Sequence, residues 1–287
     1  MTETPSPARP LPLAGCSFGW LHRAPLATAL DALARHGIRE FELTTASPHL
    51  FTRHFGKYER QALLRTLRAL DLKVTSVNPS YADINLISTN PEIREISERQ
   101  LTAEIELAAD LGAGYVVVIP GRRHALFPAP DDETEAVLHD GLGRLLDRAA
   151  ALGITIALEN SPYGYLGTSS ELVRIAEKWN VGHLRLAYDA ANALAQEDPA
   201  EGVKRAAPYV AIAHVSDTWA SRWAHTSIGR GDVDFAAFAT ALRDIGFSGS
   251  TVYELVDGDD PEPRLAADLA ALRAAGWAAD VRPGGAA

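Results

Sequence analysis

Short apolar runs alternate with longer amphipathic stretches along almost the whole chain. Residues 13–18 form a first run, bounded by Pro12 and Gly19, and predict a strand. Pro25 then opens an alanine- and leucine-rich helix to about Arg35, closed by Gly37. Residues 39–43 alternate as a second strand. Residues 57–70 repeat Leu63, Leu64, Leu67 and Leu70 at helical spacing. Residues 72–77 give a third strand, stopped by Asn78-Pro79. Pro91 starts a long amphipathic helix to about Leu111, and residues 115–119 are the most apolar strand of all. A helix over 133–152 ends at Gly153, and a fifth run leads to Glu159. Ser169 or Ser170 caps the next helix, which reaches Trp179. A sixth strand ends at Asp189, and one or two helices follow within 193–206. A seventh ends at His214, before a long loop over 216–233. Asp234 caps a helix to about Ile245, an eighth strand ends at Glu254, and residues 263–275 form a closing helix.

This alternation predicts a parallel sheet with helical crossovers, and eight such units point to a closed (βα)8 TIM barrel. An open doubly wound sheet is the alternative, but no glycine-rich dinucleotide fingerprint follows any strand. The barrel is expected as a single α/β domain over residues 13–278. Residues 1–12, with Pro5, Pro7, Pro10 and Pro12, read as a flexible arm, and residues 279–287 as a frayed tail.

The four later strands share a feature. The runs 154–158, 184–188, 209–213 and 250–253 each end in one metal-liking side chain: Glu159, Asp189, His214 and Glu254. Strand C-termini converge on one face of such a barrel, so the four belong to neighbouring stretches of one rim. Three hard oxygen donors and one nitrogen suit a divalent ion with open positions, Mn²⁺ first, with Mg²⁺, Co²⁺ or Zn²⁺ as alternatives. Such an ion polarises a carbonyl and stabilises an enediolate. Glu159 and Glu254, facing each other across it, are the expected base and acid, the alternative being that they are ligands only and another residue moves protons.

Composition narrows the reading. A net charge of −10 argues against a nucleic-acid groove and against an anionic membrane surface. The single cysteine, Cys16, excludes an intramolecular disulfide framework and fits a reducing cytoplasm. No apolar run approaches the length of a membrane span. None of Lys57, Lys73, Lys178 and Lys204 ends a strand, where a Schiff-base lysine would sit. A small polar substrate held through a metal is compatible with the net charge, and a homo-oligomer is left open.

The segments Leu158-Glu159-Asn160, Tyr188-Asp189-Ala190-Ala191-Asn192, His214-Val215-Ser216-Asp217 and Tyr253-Glu254-Leu255 resemble the metal-site signatures of the xylose isomerase-like TIM barrels. The stretches 37–43 and 228–235 resemble the same group, and the likeness covers roughly residues 13–276. It implies one divalent metal and proton-transfer chemistry on a polyol or keto-sugar, by a sugar isomerase or epimerase. A dehydratase of a cyclic keto-polyol and a non-catalytic partner subunit are the alternatives. Ketohexose 3-epimerases of this group place a histidine three residues after the strand-six aspartate, where this chain has Asn192. They also place an arginine soon after the strand-seven histidine, where the nearest here is Arg222.

Further substrate contacts are expected from residues in or near the strand-to-helix loops. Glu42 ends strand two and faces the mouth, and His124 follows strand four. Asn192 follows Asp189, while Asp217, Arg222 and Arg230 lie in or beside the long loop after strand seven. Arg230, between two glycines, could meet an anionic group. Asp217 has a second reading, as a turn residue or as a partner that orients His214. His225, with His49, His54 and His124, enters only as a possible extra ligand of the multi-zinc DNA-repair relatives.

Overall fold

A computed structural model describes residues 9–79 and 81–279. Eight parallel strands form the barrel: β1 (Leu11–Cys16), β2 (Glu40–Thr44), β3 (Lys73–Asn78), β4 (Tyr115–Val118), β5 (Thr155–Glu159), β6 (Leu184–Asp189), β7 (Val210–Val215) and β10 (Ser250–Tyr253). They pair in sequence order, and β10 closes the ring on β1 with Ala14 opposite Val252. Helices α1 (Leu26–Arg35), α2 (Lys57–Ala69), α3 (Pro91–Leu111), α4 (Asp131–Leu152), α5 (Ser169–Trp179), α6 (Ala190–Ala193), α7 (Pro199–Arg205), α8 (Phe235–Asp244) and α9 (Glu262–Ala275) fill the connections. This is the single-domain TIM barrel that the alternation predicts.

The first strand starts two residues before the expected boundary. Leu11 and Pro12 pair with a short strand β11 (Trp277–Ala278), so they belong to the barrel and not to an arm. Trp277 is buried and packs edge-on to Phe235, with ring centroids 6.4 Å apart. The rest of the expected arm, except residues 9 and 10, and all of the expected tail except Ala279 lie outside the described residues. Helix α4 begins at Asp131, earlier than expected, because Asp131, Asp132 and Glu133 all sit in its first turn, where carboxylates offset the helix dipole. The cap of α5 is Thr168 and not a serine. Its side chain and Glu171 satisfy each other's backbone amides in a capping box.

The loop over 216–233 is not featureless. It folds into an antiparallel hairpin, β8 (Asp217–Trp219) and β9 (Arg222–Thr226). Asp217 accepts hydrogen bonds from the amides of Thr218, Gly229, Gly231 and Val233, tying the hairpin's start to the loop's end. Gly231 is required there, because a β-carbon would meet Thr218 O at 2.1 Å.

The larger core fills the space between sheet and helices. A second, small cluster lies inside the barrel: Ala14, Cys16, Val117, Ala157, Ala187, Ile212 and Val252. Side chains on a strand alternate faces, so residues two positions on also point inward, one layer nearer the C-terminal rim. Two residues beyond Ala157, Ala187, Ile212 and Val252 stand Glu159, Asp189, His214 and Glu254. The interior packing thus fixes the direction of all four. Among the described residues, no helix is long and apolar enough to cross a membrane.

Candidate metal centre

Glu159, Asp189, His214 and Glu254 are all buried, and each offers a ligand atom within 4.8 Å of the others. His214 Nδ1 lies 2.9 Å from Glu159 Oε1, 3.4 Å from Glu254 Oε2 and 3.7 Å from Asp189 Oδ2. Asp189 Oδ1 accepts the Asn192 amide at 2.6 Å, while Oδ2 is buried and meets no hydrogen-bond donor among the described residues. A carboxylate oxygen removed from water and left unpartnered costs free energy unless a cation meets it. The cluster therefore fits a divalent ion on its own chemistry.

Electrostatics agree. Burial alone would lower the pKa of His214, yet Glu42, Glu254 and Glu159 hold it well above the ordinary histidine value. Burial raises Glu159 despite the opposing pull of His214. Burial also raises Asp189 to about 6, against His225 and with help from Glu254. The cluster attracts positive charge and resists carrying its own negative charge uncompensated.

Glu42 has a different place from the one expected. It is fully buried behind His214, with its Oε2 3.3 Å from His214 Nε2. Ser76 Oγ donates to Oε2 and Asn78 Nδ2 to Oε1, both at 2.8 Å. Burial would raise its pKa, but the His214 charge and these donors lower it. A carboxylate on the far nitrogen of a metal-binding histidine fixes the ring and turns its other nitrogen toward the metal. Glu42 thus contacts His214 and does not line the cavity that opens onto Glu159 and Glu254. Asn78 Nδ2 also reaches Glu254 Oε1 at 3.2 Å, so one amide steadies both carboxylates.

A cavity of about 130 Å³ opens onto Glu159 and Glu254. Phe18, Pro79, Tyr81, Ile119, Trp223 and Val256 give it apolar walls, and Asn78, Asn192 and His225 add polar groups. Asn192 is where the sequence places it. Its Nδ2 donates to Asn160 O at 2.9 Å, and its Oδ1 accepts from Trp223 Nε1 at 2.7 Å.

The remaining expected contacts stand elsewhere. His124 is exposed in the loop after β4, where its Nδ1 accepts the amides of Leu126 and Phe127, and it does not line the cavity. Asp217 has both oxygens occupied by backbone amides and serves the hairpin, its turn reading. Arg222 and Arg230 are exposed and line a neighbouring cleft of about 340 Å³, with Arg222 stacked 4.0 Å over Trp219. Sequence reasoning gave no substrate role to His225 or Asn78. Both reach the centre through tertiary pairing, and only the Asn-Pro stop after β3 marked Asn78 at all.

The model of the xylose isomerase-like TIM barrel family matches residues 30–275. The chain belongs to that family. Among its relatives, MJ1311 of Methanocaldococcus jannaschii, described as an uncharacterized protein, is 26% identical over 78% of this chain and 77% of its own. The L-ribulose-5-phosphate 3-epimerase UlaE of Salmonella paratyphi C is 24% identical over 92% of this chain and 89% of its own. Among solved structures, a D-tagatose 3-epimerase-like protein superposes with a TM-score of 0.79 at 22% identity, covering 92% of this chain and 99% of the other. The IOLI protein, described with a bound zinc atom, gives 0.77 at 20% identity over 92% and 96%. The family match thus spans most of the barrel, from α1 to the end of α9.

Proposed function

We propose that this chain is a divalent-metal-dependent isomerase or epimerase of a small sugar or keto-polyol. The observation that carries the reading is the pair Glu159 and Glu254. Both approach the same nitrogen, His214 Nδ1, at 2.9 and 3.4 Å, and both open onto one small apolar-walled cavity. The likeness to an L-ribulose-5-phosphate 3-epimerase and to a D-tagatose 3-epimerase-like protein supports the same class.

Glu159, Asp189, His214 and Glu254 would hold the cation, Mn²⁺ first, with Mg²⁺, Co²⁺ or Zn²⁺ as alternatives. When bound, it supplies positive charge that polarises a substrate carbonyl and acidifies the neighbouring C–H. The protein's own groups do the rest. One of Glu159 and Glu254 takes the proton from that carbon, and the other returns a proton to its opposite face or to the adjacent atom. Asn78 restrains Glu254, the His214 ring restrains Glu159, and the apolar wall limits competing water.

The test is a screen of keto-sugars and inososes by proton NMR in D₂O, with Mn²⁺-loaded and chelated protein side by side. Conversion of a substrate only by the loaded protein is expected. Loss of hydroxide to give an unsaturated product would replace the assignment with a dehydratase. No conversion of any compound in the set would remove the carbohydrate reading.

A further inference from the structure

The cleft beside the cavity carries cationic groups to which proton transfer gives no task. Its volume is about 340 Å³, and two strand-to-helix loops line it: the hairpin loop after β7, from Trp219 to Arg230, and residues 256–259 after β10. Trp223, His225 and Val256 line both the cleft and the cavity over Glu159 and Glu254, so the two spaces adjoin along one edge. A molecule seated in the cavity has the cleft as its next step outward.

Arg222 and Arg230 bring two exposed guanidinium groups to this cleft, and neither makes an ion pair or a side-chain hydrogen bond among the described residues. Both are nevertheless held. The Arg222 guanidinium lies 4.0 Å over the Trp219 ring, which covers its flat face and leaves its N–H edge free. Arg230 is presented by a clamped turn, because Asp217 Oδ2 accepts the amides of both flanking glycines, Gly229 and Gly231, at 2.8 Å. The Arg230 amide donates to Ser227 O at 3.2 Å. Closing the hairpin needs these glycines but not a guanidinium between them.

The lining also holds two carboxylates. Asp257 is already matched, since Arg264 Nη1 and Thr226 Oγ1 each donate to its Oδ2 at 2.9 Å. Asp259 makes no ion pair among the described residues and stands against two guanidiniums. The local balance is therefore cationic, in a chain whose net charge is −10. Guanidinium N–H groups without a protein acceptor suit an oxyanion, whose oxygens accept them in pairs. In barrels of this kind the loops after the last two strands are a frequent seat for such a group.

We infer that the cleft is a subsite for an anionic terminal group of the substrate, a phosphate monoester or a carboxylate, with Arg230 and Arg222 as its donors. The inference rests on the isomerase or epimerase reading of the cavity and narrows its substrate to a charged sugar, with the charge at the end remote from the carbonyl.

The test is calorimetric titration of methyl phosphate and of acetate into the wild-type chain, each with Mn²⁺ present and with the metal chelated. Saturable binding of at least one anion is expected in both conditions. Tighter methyl phosphate assigns a phosphorylated sugar, and tighter acetate a sugar acid. Arg230→Gln and Arg222→Gln should each weaken that binding about tenfold, the usual worth of a hydrogen bond to a charged group. Their melting temperatures should match the wild type, because both side chains are exposed. A wild-type chain that binds neither anion overturns the inference, as does binding that needs Mn²⁺ or that survives unchanged in either variant. Conversion of neutral keto-sugars by a chain that binds no anion removes the subsite alone. Anion binding that the variants lose, with no keto-sugar converted, charged or neutral, removes the isomerase reading and keeps the anion site.

Discussion

At the scale of single residues, the centre depends on which nitrogen of His214 faces the carboxylates. Glu42 decides this through its contact with Nε2. Glu42→Gln should therefore weaken metal binding about 10- to 100-fold, the usual effect of removing such a partner. Equilibrium dialysis checks it, and unchanged metal affinity with a raised KM would return Glu42 to the substrate. His214→Ala and Asp189→Asn should each cost at least about tenfold in affinity, roughly 1.4 kcal/mol. A buried carboxyl away from the centre gives a pH signature. Glu104 on α3 accepts a hydrogen bond from Thr52 Oγ1 at 3.3 Å, and burial raises it from 4.5 to about 8 against the pull of Thr45, Thr52 and Arg60. Below pH 4.5 it is protonated in both folded and unfolded chains. Between there and about 8 only the unfolded chain ionises, so stability falls as pH rises. Thermal melts of Glu104→Gln and wild type should nearly coincide at acid pH and separate by pH 8, with the variant the more stable; the reverse trend would contradict it. The four strand-end side chains of the candidate centre were legible because each follows an apolar run at the same place. The contact of Glu42 was not, because its partner His214 lies 172 residues away and nothing local to either marks the pair.

At the scale of elements, the hairpin after β7 is the feature that builds the site's upper wall. Sequence periodicity passed it by: its strands are short, and Arg222-Trp223-Ala224-His225 carries no clean apolar alternation. The barrel strands were legible to within a residue or two, since most are short, mainly apolar runs, β2 alternates, and proline, glycine or polar residues bound them. The ends that moved did so for local reasons, such as the Leu11–Trp277 pairing and the acidic first turn of α4. Gly231 anchors the hairpin's return by passing against Thr218 O and the Asp217 carboxylate. Gly231→Ala forces those atoms apart and should cost about 1–3 kcal/mol, read as a drop in melting temperature. An unchanged melting temperature would mean that the hairpin is not held by that contact.

At the scale of the whole molecule, an acidic chain gathers Glu42, Glu159, Asp189 and Glu254 around one buried imidazole at the mouth of its barrel. Their crowding is the reason to expect that cation binding stabilises the fold. At about one hundred times Kd, mass action alone contributes about 2.7 kcal/mol. Chelation should lower the melting temperature and Mn²⁺ should restore it; identical melts with and without metal would contradict the centre. The central claim joins that centre to proton transfer by Glu159 and Glu254. It is tested most directly by solvent deuterium in substrate and product, followed by NMR for the wild type, Glu159→Gln and Glu254→Gln at matched metal occupancy. The account predicts deuterium at the carbon beside the carbonyl in the wild type, and a loss of about 10² to 10⁴ in turnover for each variant. It also predicts that one variant still exchanges substrate deuterium while making no product. Metal-loaded variants that turn over at the wild-type rate, or a product formed without solvent deuterium, would contradict it.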